Sequence, residues 1–381
     1  MNMPLVGVSA LFFLALVSVF YLLALAGVSA YRRVWGERAP QSFSQRVALV
    51  ALLLPPVAAL LPTVTGMILR HLHGGAMAMG IHALPAEAPT VAAHHTMACA
   101  LIFERIGTLV SFGADSRIVS LVLGVGAWLL VGVGVVYAAR LAVATLRLES
   151  GIAPLLSAPS SALVHSLERV GNRLGLPIAL RRRFFECALP PDRSSVMGLS
   201  RARCVLSREF VEDAPPEELD ALVSHEAGHL RSGDVYAAFA VGIINCLFFF
   251  LRPVRVLGGW WREAAELAAD DTAVRGTGND PLAVASAILR VRGANVATAF
   301  SLPAPLLPFA DEGAMSAETR VERLLKQAER AGRMTEAETP IQISLSWAAT
   351  GLFAALGAGL LVSSEAACVA HCTLELLKNI R

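Results

Sequence analysis

Long apolar runs, free of charge, dominate the first third of the chain. Residues 1–31 carry no charged side chain, and the apolar stretch Leu5–Ala30 exceeds the roughly 20 residues a helix needs to cross a bilayer. It lacks a basic start and is too long for the core of a cleaved signal peptide, so it predicts a retained span. Val47–Leu69 is a second such run, with Pro55, Pro56 and Pro62 expected to kink it. Ile118–Ala139 is a third and Ile341–Ser364 a fourth. A fifth apolar stretch, Val235–Leu251, is short for a span.

Between the third and fourth runs the pattern changes to that of a water-facing domain. Ala214–Val223 reads as the start of a helix: Pro215 and Pro216 open it, acids fill the first turn, and Leu219, Leu222 and Val223 mark its apolar face. Asp280 before Pro281 reads as an N-cap and first helical residue of a helix to about Val291. Thr319 and Glu322 have the spacing of a capping box opening the amphipathic helix Arg320–Arg330. Alternation within Met197–Ser207, centred on Arg203–Leu206, predicts a strand. The expected fold is mainly α, with polytopic membrane helices and a water-facing domain that contains a small β element.

Composition supports lipid as part of the solvent. Of 381 residues 55% are hydrophobic and 16% charged, against about 25% charged in soluble proteins. A net charge of +2, with no basic run interleaved with aromatics, argues against a nucleic-acid partner. Arginine placement predicts sidedness. Arg32, Arg33, Arg38 and Arg46 lie between the first two runs, and Arg140, Arg147 and Arg181–Arg183 follow the third. These regions are expected in the cytoplasm, and the N-terminus, the loop 70–117 and the tail 365–381 outside. The expected organisation is a membrane domain over 1–142, a cytoplasmic domain over 143–340, and a last span with its tail over 341–381.

The candidate chemistry begins at His225-Glu226-Ala227-Gly228-His229. His-Glu-x-x-His on a helix places two imidazoles on one face, one turn apart, where both can bind one zinc ion. Glu226 then lies where a general base is needed. A catalytic zinc needs a third protein ligand. Downstream, Glu266 and Asp270 are four residues apart and share a helix face. Glu266 is the expected ligand, and Asp270 the expected hydrogen-bond acceptor of a ligating imidazole. Glu263 is a rival, disfavoured because Leu267 stands four residues after it. Asp234 suits either the N-cap of the next helix or a second support for an imidazole.

These residues resemble the membrane metallopeptidases of the BlaR/MecR type. The resemblance rests on Ser224–Asp234 (SHEAGHLRSGD) and Phe248–Asp271 (FFFLRPVRVLGGWWREAAELAADD), within residues 195–275. It implies that the cytoplasmic domain over 143–340 is a gluzincin-like zinc peptidase domain, with His225, His229 and Glu266 as zinc ligands, Glu226 as catalytic base, and a protein substrate, a transcriptional repressor among the options. Ala269 stands where that family often has Cys, a position zinc chemistry does not need. No Ser-x-x-Lys motif follows the last run, so the resemblance does not imply β-lactam recognition. Ste24/HtpX-type quality-control peptidases share both motifs and are the alternative; a non-catalytic membrane receptor or scaffold is a third reading, disfavoured because ligands and base are all present.

If His229 and Glu266 reach one ion, the segment between them does not cross the membrane once. Residues 235–252 are therefore expected to form a re-entrant, interfacial or buried helix. Pro253 and Gly258-Gly259 are expected to turn the chain back, with Trp260 and Trp261 at headgroup level. The loop 70–117 holds His71, His73, His82, His94 and His95 with Met77, Met79 and Met97, but no fixed ligand spacing. It is read as a flexible loop in preference to a metal sensor. Cys368 and Cys372, four residues apart, could pair with each other or with Cys99 in an oxidising compartment; the other four cysteines read as small hydrophobes or inert thiols.

Overall fold

A computed structural model describes residues 3–35, 40–77, 117–188, 194–293 and 317–331. The fold is mainly α with one small sheet, as the periodicity predicts. The last predicted span, the tail and most of the His- and Met-bearing loop lie outside the described residues.

Three long helices open the chain: α1 Met3–Trp35, α2 Gln41–Met77 and α3 Arg117–Ile152. Each contains a segment long and apolar enough to cross a membrane: Phe13–Val34, Gln41–Leu60 and Gly124–Leu155. Val125, Trp128, Leu129 and Val136 on α3 are all at least half exposed. A row of large apolar side chains facing outward fits a lipid environment and not water. The helices outrun the predicted spans. α2 passes through Pro55, Pro56 and Pro62 without a break in helical structure, and it carries His71 and His73 on its last turns, where a loop was expected.

By contacts the chain divides into two compact units. The first gathers the described residues of 1–24 and 53–133, with Val17 and Tyr21 buried. The second gathers 25–52 and the described residues of 134–346. Parts of α1, α2 and α3 thus cluster by contacts with the second unit.

In the second unit α4 (Ser161–Leu174) and the short α5 (Ile178–Arg181) lead into a three-stranded sheet of β1 (Phe184–Cys187), β2 (Ser195–Met197) and β3 (Arg203–Ser207). The order is β1-β3-β2, with β1 parallel and β2 antiparallel to β3. The predicted strand is thus two strands joined at Gly198, whose φ of 101° only glycine adopts readily. Glu149 of α3 holds this turn, accepting from the Leu199 amide at 3.0 Å and from Ser200 Oγ.

After α6 (Arg208–Asp213) come α7 (Pro216–Ser232), α8 (Asp234–Leu247), α9 (Arg252–Gly276), α10 (Pro281–Gly293) and α11 (Ala317–Ala331). Pro216 starts α7 within its first turn, where a missing amide hydrogen leaves nothing unpaired. Asp280 caps α10 as expected, accepting from the Leu282 and Ala283 amides at 2.9 and 3.2 Å. The capping box is not realised: α11 already begins at Ala317, so Thr319 is inside it, and Glu322 pairs with Lys326 at 2.7 Å.

α8 has 14 residues, about 21 Å of helix, too short to cross a bilayer. The turn after it is Phe248–Phe250, not the Gly258-Gly259 pair. Both glycines lie buried within α9, where a Cβ on Gly258 would come within 3.1 Å of Asn245 of α8. Their small size lets the two helices approach. Trp261 is a core residue at 3% exposure, not a headgroup anchor, while Trp260 stacks under the Arg32 guanidinium at 4.9 Å.

Helices α7 and α9 form the principal contact of this unit, and two glycines set their spacing. A Cβ on Gly228 would sit 3.2 Å from both Ala269 Cα and Thr272 Cβ. One on Gly276 would overlap Ser224, 2.5 Å from its Cβ. Ser224 is fully buried, with its hydroxyl donating to the Asp220 carbonyl at 2.6 Å, so it has no free space to enter. Gly276→Ala is expected to destabilise the fold by about 1–3 kcal/mol through overpacking, read as a lower thermal midpoint of the detergent-solubilised protein.

Candidate metal centre

Helical periodicity puts His225 and His229 one turn apart on α7, and Glu266 reaches them from α9. The two Nε2 atoms are 3.1 Å apart. The Glu266 carboxylate oxygens lie 3.6 Å from His225 Nε2 and 3.7 Å from His229 Nε2. Donors bound at 2.0–2.1 Å to one tetrahedral ion stand about 3.4 Å apart, so these spacings suit a single small cation.

The outer nitrogens explain why the inner ones converge. His225 Nδ1 faces Asp270 at 3.0 Å, and His229 Nδ1 faces Asp234 at 2.7 Å. A carboxylate only accepts, so each Nδ1 carries the hydrogen and each neutral ring turns a bare Nε2 lone pair inward. Two lone pairs and a carboxylate then meet at one point with no hydrogen to share. A cation satisfies that arrangement; without one the site draws a proton. Burial opposes charge on His225, but the Asp270 and Glu266 carboxylates outweigh it and push its pKa up to about 10.

Asp234 reaches His229 because α7 ends abruptly. Gly233 adopts a left-handed conformation (φ 72°), its amide closing on the His229 carbonyl, and α8 starts at once with Asp234. The Asp234 side chain therefore turns back to the imidazole and does not cap α8. Glu263 points elsewhere: Arg32 grips it through two bonds of 2.9 and 3.1 Å, away from the imidazoles.

Glu226 is buried, and its Oε2 has no hydrogen-bond partner among the described residues. Burial raises its pKa, against the pull of both imidazoles. It lines a cleft of about 540 Å³ together with both histidines, Glu266 and the edge strand β2 at Ser195 and Val196. Such a carboxylate is a proton acceptor held where water can reach the cation site.

Sequence reasoning missed Arg320. It forks onto Asp270 at 2.6 and 2.9 Å and reaches Glu266 at 2.8 Å. Its separation of about 50 residues from both partners leaves no periodic signal. Only its position on the inner stripe of an amphipathic helix, beside buried Leu324, hinted that it was not a solvated charge.

The architecture defines a membrane protein whose second unit holds a clustered His-His-carboxylate set in a cleft. The family model described as BlaR1 peptidase M56 matches residues 53–304, about two thirds of the chain, and the chain belongs to that peptidase family. No curated protein matches it. Family membership makes it a peptidase, with a protein substrate and a lipid bilayer as its surroundings.

Arg320 and Asp270 form a nearly buried pair, their side chains 15% and 1% exposed. Removing one member of such a pair typically destabilises by about 3–5 kcal/mol, because the other charge is stranded. Arg320→Ala is expected to lower the thermal midpoint of metal-free protein strongly. Arg320→Lys, which keeps charge but loses the fork, should fall between.

Proposed function

We propose that this chain is a zinc-dependent endopeptidase of the membrane, cleaving cytoplasmic or juxtamembrane protein segments in signal transduction. One observation carries it: two imidazoles, each held at Nδ1 by a buried carboxylate, aim Nε2 at one point beside Glu266. His225, His229 and Glu266 are the ligands in this reading, Asp270 and Asp234 hold the two rings, and Glu226 is the base. Two nitrogens and one carboxylate are the donor set of many catalytic zinc sites and leave a position open.

Zinc bound there would polarise the scissile carbonyl and acidify a water molecule. Glu226 takes the proton of the attacking water and delivers it to the leaving amine. Its raised pKa, a consequence of burial, increases its affinity for that proton. Arg320 keeps Glu266 and Asp270 ionised and fixed while this happens. An extended substrate segment would lie in the cleft beside edge strand β2.

The second unit is read as cytoplasmic, a reading supported by Arg32 at the end of α1 and by Arg140 and Arg147 on α3 through the positive-inside rule. A multi-pass position in a bacterial-type inner membrane, with a domain over 143–340 presenting the site inward, completes the reading. A repressor is the substrate class that signalling would require.

Glu226→Gln is expected to keep metal while cleavage of an unstructured protein substrate falls by about 10²–10⁴-fold. Glu266→Ala should lose the metal, and Glu263→Ala should retain it, as read by metal analysis of the purified proteins. Stoichiometric metal in Glu266→Ala would show that the third ligand is another residue.

A further inference from the structure

The support of His229 does not end at Asp234. One Asp234 oxygen accepts from His229 Nδ1. The other accepts from Gln45 Nε2 at 2.5 Å, across 189 residues of sequence. Gln45 belongs to α2, inside the segment Gln41–Leu60 that is long and apolar enough to span a membrane. It is 8% exposed, a buried amide on the polar opening turns of a helix that becomes apolar from Val47 onward. Because Asp234 can only accept, the Gln45 amide must present its NH₂ group to it.

This contact has a consequence for the ligand. A carboxylate with both oxygens engaged has one orientation, and it passes that orientation to the imidazole it holds. Ring rotation about the Cβ–Cγ bond moves Nε2 away from the point it shares with His225 Nε2 and Glu266. The last turns of α1 and the first of α2 are themselves joined, Tyr31 Oη to Ser44 Oγ at 3.1 Å, so the hairpin carrying Gln45 is a defined body. Arg32 of the same hairpin grips Glu263 of α9, one turn before Glu266.

We propose that Gln45 is a positioning residue for the metal: a membrane helix holds Asp234, and through it His229, so the metal affinity of the cleft depends on the placement of α2. This rests on the reading of His225, His229 and Glu266 as ligands.

The test uses the full-length protein in detergent, with zinc and cobalt(II) as probes. Gln45→Met keeps the length and volume of the side chain and removes the hydrogen bond. It is expected to raise the metal dissociation constant about tenfold, within the range seen when outer supports of a ligand are lost. It should also shift the visible absorption bands of the cobalt-loaded protein. In an Asp234→Asn background the same change should add less than twofold, because the two residues act in series. Tyr31→Phe, which loosens the neighbouring helix contact but keeps the Gln45–Asp234 bond, should change both readouts less than Gln45→Met does. If folded Gln45→Met cannot be recovered, Gln45→Ala is judged by the same numbers. Wild-type affinity and spectrum in the Gln45 variant, or a tenfold loss that persists undiminished in Asp234→Asn, would overturn the role of Gln45 alone. A wild-type protein that takes up no metal would overturn the ligand set, and this proposal with it.

Discussion

Each imidazole in the cleft gives its Nδ1 hydrogen to a buried carboxylate, and the rest of the second unit is arranged around that requirement. Asp270 serves His225 from α9, and Asp234 serves His229 from the first residue of α8. Were either carboxylate absent, the ring would be free to place its hydrogen on Nε2, and the shared point would lose a lone pair. The supports thus matter as much as the donors. Their burial (Asp270 is fully buried, Asp234 7% exposed) keeps water from competing for the same hydrogens.

Local backbone features serve this geometry. Gly228, between the two histidines, lets α9 approach closely enough for Glu266 and Asp270 to reach α7. Gly233 turns the chain within one residue, so Asp234 can fold back. The short α8 packs against α3, where Gly134 admits the Leu247 backbone and Tyr137 meets Phe249 edge-on at 5.6 Å. The turn Phe248–Phe250 after it leads the chain back into α9, so His229 before α8 and Glu266 after it meet. The ends of all three long helices contact parts of the cleft region: Arg32 grips Glu263, Gln45 holds Asp234, and Glu149 holds the turn beside β2.

The legible parts of the sequence were those with a period. Spacing of four residues placed His225 with His229 and Glu266 with Asp270, and apolar run length gave the spans. The class of fold followed from the same patterns. What was not legible depended on contacts between distant segments. Arg320 and Gln45 are ordinary residues in their own helices and acquire meaning only from partners 50 and 189 residues away. Strand β1 follows three arginines and has no alternation of its own; pairing with β3 makes it a strand. Gly258-Gly259 read as a turn because glycine marks both turns and close helix packing, and only the neighbouring α8 decides between them. Trp261 misled for a related reason: an indole suits an interface or a core, and its place on the inner face of α9 selects the core.

The charge balance of the cleft argues for a multivalent ion independently of ligand spacing. Four carboxylates surround the point where the imidazoles meet: Glu226, Glu266, Asp270 and Asp234, all but Glu266 buried. Arg320 is the guanidinium that reaches two of them. One positive charge among four negative ones in a desolvated cleft leaves a strong excess that a single proton on His225 only partly offsets. A divalent cation would remove most of it; Glu226, one of whose oxygens has no hydrogen-bond partner among the described residues, lines the same cleft. Burial pushes the Glu226 pKa up, and positive charge at the imidazoles works against it. A cation held between the imidazoles would act on Glu226 in the same downward direction. The excess of negative charge in the cleft thus favours a cation, and a cation there favours the ionised form of the Glu226 carboxylate.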